Sequence, residues 1–528
     1  MVEKTELRVS PEIAYTPLRL QAAISTRLGV DVNRITHIQV RRRSIDARQR
    51  NVMVNISADV YLDTPPEASE IAAPQKPEYK DVRNAPAVIV VGAGPAGLFA
   101  SLRLIELGLK PILLERGKSV EERGKDMAKI AREHIVNPDS NYCFGEGGAG
   151  AYSDGKLYTR SKKRGPVDEI LRTFVAHGAS PDILVDAHPH IGTDRLPQVI
   201  KAIRSSILSA GGEVKFNTKV EQLILDNGTV TGVITSDGSA IAGPVILASG
   251  HSARDVYRML LDLGISVEPK GLAIGVRLEH PQELIDRIQY HSPAGRGKYL
   301  PPAEYSMLTR VEGRAVYSFC MCPGGFIIPS ATGPEQLAVN GMSPASRGTK
   351  WANSGMVVEV LPEDIPDNGQ EPELKMLRLQ EEIEKSFYDD ADGSQNAPAQ
   401  RMHDFVNGKP SESLPLTSYA PGIHAARIDK LLPPFIARRL QKGFIDFGKK
   451  QRGFLTNNAV LIGAETRTSA PVRIPRDPQT LEHTTIKGLY PSGEGAGYAG
   501  GIVSAAIDGR RCAEAAARDM GIEVTESM

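Results

Sequence analysis

The sequence predicts an α/β protein: a doubly wound parallel sheet with a mixed α+β domain inserted into it and a small α+β domain ahead. Three observations predict this. An apolar strand, Ala87–Val91, runs into Gly92-Ala-Gly94-Pro-Ala-Gly97 and then a helical stretch. A second apolar strand, Pro111–Leu114, follows at once and ends in Glu115. Near the C-terminus another short strand meets a glycine-rich turn, Gly493-Glu494-Gly495-Ala-Gly497, and a further helix, Ile502–Arg518. Runs of four to six apolar residues that are not alternating suit strands buried on both faces of a parallel sheet.

The first unit is a Rossmann-like dinucleotide fingerprint. Gly92 permits the turn, Gly94 lets the backbone approach a pyrophosphate, and Gly97 lets helix and strand pack closely. The helix start at Ala93, Pro95 and Ala96 offers partial positive charge to that pyrophosphate, and backbone N–H groups from its residues other than Pro95. Glu115, followed by Arg116, is placed to accept the ribose hydroxyls of an adenosine half. An acid there disfavours a 2′-phosphate, so FAD or NAD fits better than NADP.

Bulk composition narrows the class. The chain has 528 residues, too many for one ordinary core, so two or three domains are expected. Lys plus Arg equals Asp plus Glu at 63 each, which removes any global pull toward nucleic acid or an anionic membrane. No apolar run reaches a membrane span, and the N-terminus lacks the basic and apolar regions of a signal peptide. Four cysteines at irregular spacing exclude a disulfide framework, and no zinc-ligand spacing occurs. A cytoplasmic protein with no metal and no membrane partner is the expectation.

Residues 1–80 form the N-terminal appendage and linker. A helix is expected at Leu18–Leu28, then strands at Ile35–Arg43 and Asn51–Leu62. Between them lie Arg41, Arg42, Arg43, Arg48 and Arg50. Such a run would suit a phosphate or RNA backbone; a solvated strand end and hairpin is the preferred reading. Residues 64–85, with Pro65, Pro66, Pro74 and Pro77 among charged residues, read as a linker.

Residues 81–269 form the first part of the dinucleotide domain. After a charged helix, Ser119–Glu133, comes a window holding Gly145, Gly147, Gly148, Gly150 and Gly155. So many glycines cannot sit inside a stable helix or strand. With Ala149, Ser153, Asp154 and Lys156 among them, the window reads as backbone brought against a ligand. A helix at Arg195–Ala210 precedes short strands at Glu213–Phe216, Thr218–Leu225, Val230–Thr235 and Ala240–Ala248, a small antiparallel layer over the sheet. Val220 on this layer and the Ser249-Gly250 turn at its end join the expected cofactor contacts.

Residues 270–451 read as the inserted substrate-side domain. Strands are expected at Leu272–Glu279, Ala315–Phe319 and Met356–Leu361, and helices at Glu373–Phe387 and Pro433–Phe444. No second strand–GxGxxG–helix occurs there, so NAD(P)H, if used, docks transiently as a reductant without its own Rossmann unit. Residues 452–528 return to the first sheet. They begin with a strand, Val460–Ile462, and end at the Gly493-Glu494 turn, where Glu494 suits ribityl hydroxyls. The helix start at Gly500, Gly501 and Ile502 suits negative charge on a reduced flavin at N1 and O2.

The two ends and the Ser249-Gly250 turn resemble the FAD-binding fold of the glutathione reductase and p-hydroxybenzoate hydroxylase superfamily. More closely, the chain resembles a little-characterised family of bacterial-type FAD-dependent dehydrogenases. The matching pieces include Arg42–Arg48, Gly145–Leu157, His190–Asp194, Gly250–Asp255, Cys320–Gly325, Glu465–Arg473 and Gly493–Gly501. The resemblance implies non-covalent FAD and an N-terminal α+β appendage, and no substrate. Its usual Ala-Thr-Gly turn is Ala248-Ser249-Gly250 here, and its usual C-terminal Asp is Glu494.

The expected reaction passes a hydride or electron pair through flavin N5, to or from a small molecule. Alternatives are a flavin-dependent RNA-modifying protein docking RNA through the arginine run, and a non-enzymatic FAD redox sensor. Catalytic candidates are weaker. Cys320 and Cys322 would form a charge-transfer pair or exchange with a disulfide if a thiolate lay against the flavin. Two small residues at a strand end is the preferred alternative, because Cys-x-Cys disulfides are strained. Arg467 and Arg473 would bind an anion or pair with acids such as Glu465. Tyr498 would face the flavin or simply pack near it, and His251 would act as acid or base or simply be hydrogen-bonded. Cys143 and Cys512 read as packing residues.

Overall fold

The computed structural model describes residues 1–158, 165–367 and 369–524. Five parallel strands form its first sheet, in the order Leu489–Pro491, Val245–Leu247, Ala87–Val91, Lys110–Leu114, Glu213–Lys215. Alternation along Ala87–Val91 distributes the packing between two faces. Val88 and Val90 point into a cluster with Leu98, Phe99 and Leu102 of the helix Pro95–Glu106 and with the helix Ile502–Asp519. Ile89 and Val91 face the opposite cluster, with Val220, Leu223 and Val233 of the small antiparallel layer and Tyr257 of the helix Arg254–Asp262. Layers on both faces explain why these strands are apolar throughout.

The inserted domain is a seven-stranded sheet, ordered Leu308–Val311, Arg314–Cys322, Trp351–Val360, Leu272–Pro281, Val460–Glu465, Ala397–Arg401, Ile423–Ala425. Its pairs are antiparallel except the last. The helix Pro434–Lys450 covers it with Ile436, Leu440, Phe444 and Phe447. Val460–Glu465 is a correction to the domain boundary drawn at residue 452. It pairs with Leu272–Pro281 and Ala397–Arg401, so the chain returns to the first sheet only with Leu489–Pro491. An apolar strand carries no label for which of two sheets it joins.

Other departures are local. Ala240–Ala248 divides at Gly243-Pro244 into Ala240–Ala242 and Val245–Leu247, which belong to different sheets. Helices at Val167–Ala176, Arg254–Asp262 and Gln282–Gln289 were not expected. In the N-terminal domain an unexpected strand, Val2–Val9, completes an antiparallel sheet with Met53–Leu62 and Ile35–Asp46. Leu20 and Ile24 of the helix Pro17–Leu28 pack on Val54, Ile56 and Val60. The arginine run is largely spent on carboxylates. Arg41 meets Asp59 at 2.7 Å, Arg48 meets Asp46 at 2.8 Å, and Arg43 crosses to Asp186 at 2.7 Å. No helix among the described residues is long and apolar enough to cross a membrane.

Candidate functional site

Four strands of the parallel sheet end at one cavity of about 670 Å³. Gly92 follows the first of them, Glu115 and Arg116 the second, Ala248 to Gly250 the third, and Ser492 and Glu494 the fourth. Ligands of open α/β sheets bind at this carboxyl edge, where the connecting turns leave a crevice.

The glycine turn is held by close packing that tolerates no side chain. A Cβ on Gly97 would lie 1.9 Å from the Gly92 carbonyl oxygen. Gly92 itself has φ 101°, and a Cβ there would lie 2.4 Å from the Ala248 carbonyl oxygen. Gly94, by contrast, looks into the cavity beside Gly148, with Pro95, Ala96 and Ala149 on the same wall.

Glu115 is buried and ties three loops together. Its Oε2 accepts the Ala93 N–H at 2.8 Å, and its Oε1 accepts those of Gly117 and Gly145 at 2.9 and 3.0 Å. An ionised carboxylate has about four acceptor positions, so capacity remains for a ribose hydroxyl. The Arg116 charge is used within the protein: it pairs with Asp139 at 2.8 Å and Asp255 at 2.9 Å, above the Phe144 ring.

Seventeen of the residues expected from the sequence to touch the cofactor line this cavity, Val220, Ser153, Lys156, Gly500, Gly501 and Ile502 among them. Ala93, Gly97, Gly147 and Gly493 stand behind the wall. Gly147 N–H bonds the Ala93 carbonyl at 2.8 Å, and Gly493 N–H bonds Asp508 at 2.8 Å, so these two fix the turns.

The inserted domain closes the other side. Cys320, Met321, Asn340, Arg347 and Glu304 line it. Arg347 pairs with the buried Asp154 at 2.6 Å and with Glu304 at 2.6 Å. Lys156 Nζ donates to the Met321 carbonyl. Burial works against the Lys156 charge, yet Asp154 and the neighbouring thiols reverse this and raise its pKa. Burial pushes Glu494 up to about 7, against the pull of Lys270. Burial, with Arg467 and Arg254 behind it, holds His251 down to about 4, so its imidazole is neutral at pH 7.

The catalytic candidates separate. Arg467 lines the cavity, but its guanidinium is fully engaged by protein: Glu384 at 2.9 Å, Thr332 at 2.7 Å, Gln336 at 2.7 Å and Ser252 at 3.4 Å. Tyr498 lies outside the lining; its hydroxyl donates to the Ile474 carbonyl at 3.1 Å and accepts the Arg476 N–H at 3.0 Å. Cys320 faces the cavity, and Cys322 is fully buried behind it. Cys143 also reaches the wall, whereas Cys512 is buried in the core on one face of the first sheet. Arg277, Glu304 and Arg347 were missed. For Arg277 a signal existed: a charge in the middle of an otherwise apolar strand, where every residue from Leu272 to His280 proves buried.

One observation tests whether this wall fits a polar cofactor. Ser249 Oγ is buried at the third strand end with no hydrogen-bond partner among the described residues. A buried hydroxyl left this way calls for a partner from the cavity. Residues 271–468 match the family model described as FAD-dependent protein, C-terminal domain-like, and residues 1–61 match a domain of unknown function. An uncharacterized protein of Clostridium beijerinckii is 38% identical over 511 residues, which covers 94% of this chain and 95% of that one.

This chain belongs to the family of that clostridial protein. Its cofactor is FAD. A thiamine thiazole synthase of Methanococcus vannielii is 28% identical over 195 residues, covering 34% of this chain and 63% of that one. A geranylgeranyl bacteriochlorophyll reductase-like structure from Thermoplasma acidophilum aligns loosely, with TM-score 0.35 and 13% identity over 83% of this chain and 80% of that one. Gly94 and Gly148 would receive the pyrophosphate of FAD, Glu115 would accept a ribose hydroxyl, and Glu494 would meet the ribityl chain. FAD supplies hydride and electron-transfer chemistry that side chains lack.

Proposed function

We propose that the chain is an FAD-dependent oxidoreductase that passes a hydride or an electron pair through flavin N5, to or from a small molecule. The observation that supports this is the shared cavity. Its floor is the carboxyl edge of the dinucleotide sheet and its roof is the inserted sheet, so a substrate admitted under the roof meets the cofactor out of water. Glu304 and Arg347 of the inserted domain, with Asp154 and Lys156 of the glycine-rich window, give the cavity polar groups to orient a substrate. The neutral His251 stands on the same wall to hold or accept a proton. NAD(P)H serves in this reading as a transient reductant that enters the same cavity.

The test is an anaerobic absorbance titration of the yellow protein with NADH, then NADPH. Loss of the flavin band with either identifies a pyridine nucleotide as donor. Reduction by dithionite alone excludes a pyridine nucleotide as donor and points to a dehydrogenase fed by its own substrate, or to a redox sensor. A protein that stays colourless after reconstitution with FAD overturns the reading.

A further inference from the structure

We propose that Cys320 and Cys322 are a redox pair that interconverts between dithiol and disulfide on the roof of the FAD cavity. The proposal rests on the reading of that cavity as the flavin site.

Geometry meets the strain objection to a Cys-x-Cys bond. In a straight strand, residues two apart have Cα atoms about 6.8 Å apart, the far limit for a disulfide. The strand Arg314–Cys322 is not straight there. Its register against Trp351–Val360 slips between Phe319 and Cys322, and Cys320 has φ 45°, in the left-handed region. This conformation is uncommon outside glycine and costs on the order of 1 kcal/mol. Met321, whose torsions set the separation of the two cysteines, lies inside the same slipped segment, and Cys322 Sγ lies 3.4 Å from the Cys320 carbonyl oxygen.

The pair is also divided in the way that exchange chemistry needs. Cys320 lines the cavity, where an incoming sulfur can reach it, and Cys322 is sealed behind it. Two cations hold the intervening backbone. Arg277 Nη2 donates to the Cys320 carbonyl at 2.7 Å and lies 3.3 Å from Cys322 Sγ. Lys156 Nζ donates to the Met321 carbonyl between them. The neighbouring Cys322 thiol, with Lys156 and Arg277, overcomes burial and draws the Cys320 thiol well below its ordinary pKa. A thiolate is the attacking species in exchange.

With a low-molecular-weight disulfide RSSR as oxidant, the Cys320 thiolate attacks one sulfur; the S–S bond of RSSR breaks and RS⁻ leaves. Cys322, giving up its proton, then attacks the Cys320 sulfur. The mixed disulfide breaks, a second RS⁻ leaves, and Cys320–Cys322 is joined. Two electrons have passed from the pair to RSSR, and two protons accompany the released thiols.

The experiment equilibrates FAD-loaded protein anaerobically with glutathione and glutathione disulfide over a range of ratios, then acid-quenches, alkylates and weighs peptides. We expect the peptide carrying Cys320 and Cys322 to become unalkylated and two hydrogens lighter as the buffer grows oxidising. Cys143→Ser should keep this transition; Cys320→Ser and Cys322→Ser should each abolish it. Dithionite titration of the oxidised protein should consume four electrons per flavin in the wild type and two in Cys322→Ser, since a disulfide takes two. Full alkylation of both cysteines in the most oxidising buffer, with two electrons per flavin in the wild type, overturns the proposal. The thiol readout needs no flavin turnover: a disulfide formed in protein that binds no FAD sinks the flavin reading and keeps the pair.

Discussion

Arg277 and Glu465 meet across neighbouring strands at 3.1 Å, both shut off from water, beneath the roof of the cavity. The same guanidinium bonds Asn353 at 2.8 Å and the Cys320 carbonyl at 2.7 Å. Burial lifts Glu465 to about 7 despite Arg277 beside it. Buried pairs of this kind stabilise little in net terms, but removing one member strands the other.

Arg277→Met should therefore destabilise the protein, and more at pH 8 than at pH 5. At pH 8 the unfolded chain carries an ionised Glu465 that must take up a proton or be buried charged on folding. At pH 5 a larger share is already protonated. We expect a loss of about 3–5 kcal/mol at pH 8 and a clearly smaller one at pH 5, read from urea unfolding at each pH. Equal losses at both would show that the charge of Glu465 is not what Arg277 balances.

Glu494 carries a second pH dependence. Its folded pKa, about 7, is raised above the ordinary carboxylate value by burial. The native state then binds more protons than the unfolded state between about pH 4.5 and 7, so stability falls as pH rises through that window. Glu494→Gln in flavin-free protein should remove about 2–3 kcal/mol of this fall, because each tenfold difference in proton affinity between the folded and unfolded states is worth about 1.4 kcal/mol. Denaturant midpoints at pH 5 and pH 8 provide the check.

Arg254 and Arg467 share one buried carboxylate, Glu384, at 2.7 and 2.9 Å. Their charges hold Glu384 at about 2 although burial opposes it. Glu384→Gln leaves Arg467 without a counter-charge beside the cavity and Arg254 with only Glu381, at 3.8 Å, and should cost about 3–5 kcal/mol. Calorimetric melting of the variant beside the wild type measures this; an unchanged Tm would contradict it.

Gly97→Ala puts a methyl 1.9 Å from the Gly92 carbonyl oxygen and 3.2 Å from Val90 Cγ1. Backbone must move, which should cost about 3 kcal/mol and open the turn that receives the pyrophosphate. The ratio of flavin to protein absorbance after purification should fall well below that of the wild type.

The N-terminal arginines should not bind RNA. Arg41, Arg43 and Arg48 already hold carboxylates, so few charges are left to displace counterions. Gel mobility with bulk tRNA at low salt should show no salt-dependent shift. Arg43→Ala should cost at most about 1 kcal/mol, because the pair with Asp186 is partly exposed, and the backbone bonds Arg43 to Val185 and Ala187 to Arg43, at 2.9 Å each, still dock the domain.

Much of the cofactor side was legible because its signals are local. Strand, glycine turn and helix start are adjacent in the chain, and each glycine's need for space or positive φ arises within a few residues or at one close crossing. The roof was not legible. Cys320 and Cys322 were visible as a motif, yet a bulge against a partner strand decides whether they can join. Arg467 read equally as an anion site or as the partner of an acid such as Glu465, and only the fold surrounds it with Glu384, Thr332 and Gln336. Val460–Ile462 read as a strand, but its sheet was misassigned.

By itself, then, the sequence determined the parallel sheet, its glycine turns and the cofactor they admit, since backbone freedom and helix starts are properties of short segments. Only the tertiary structure decided which charges face each other. Arg277 and Glu465 stand 188 positions apart, and Arg43 and Asp186 stand 143 apart. A charged side chain is attracted by any opposite charge, so its partner is set by which strands become neighbours and not by anything written beside it.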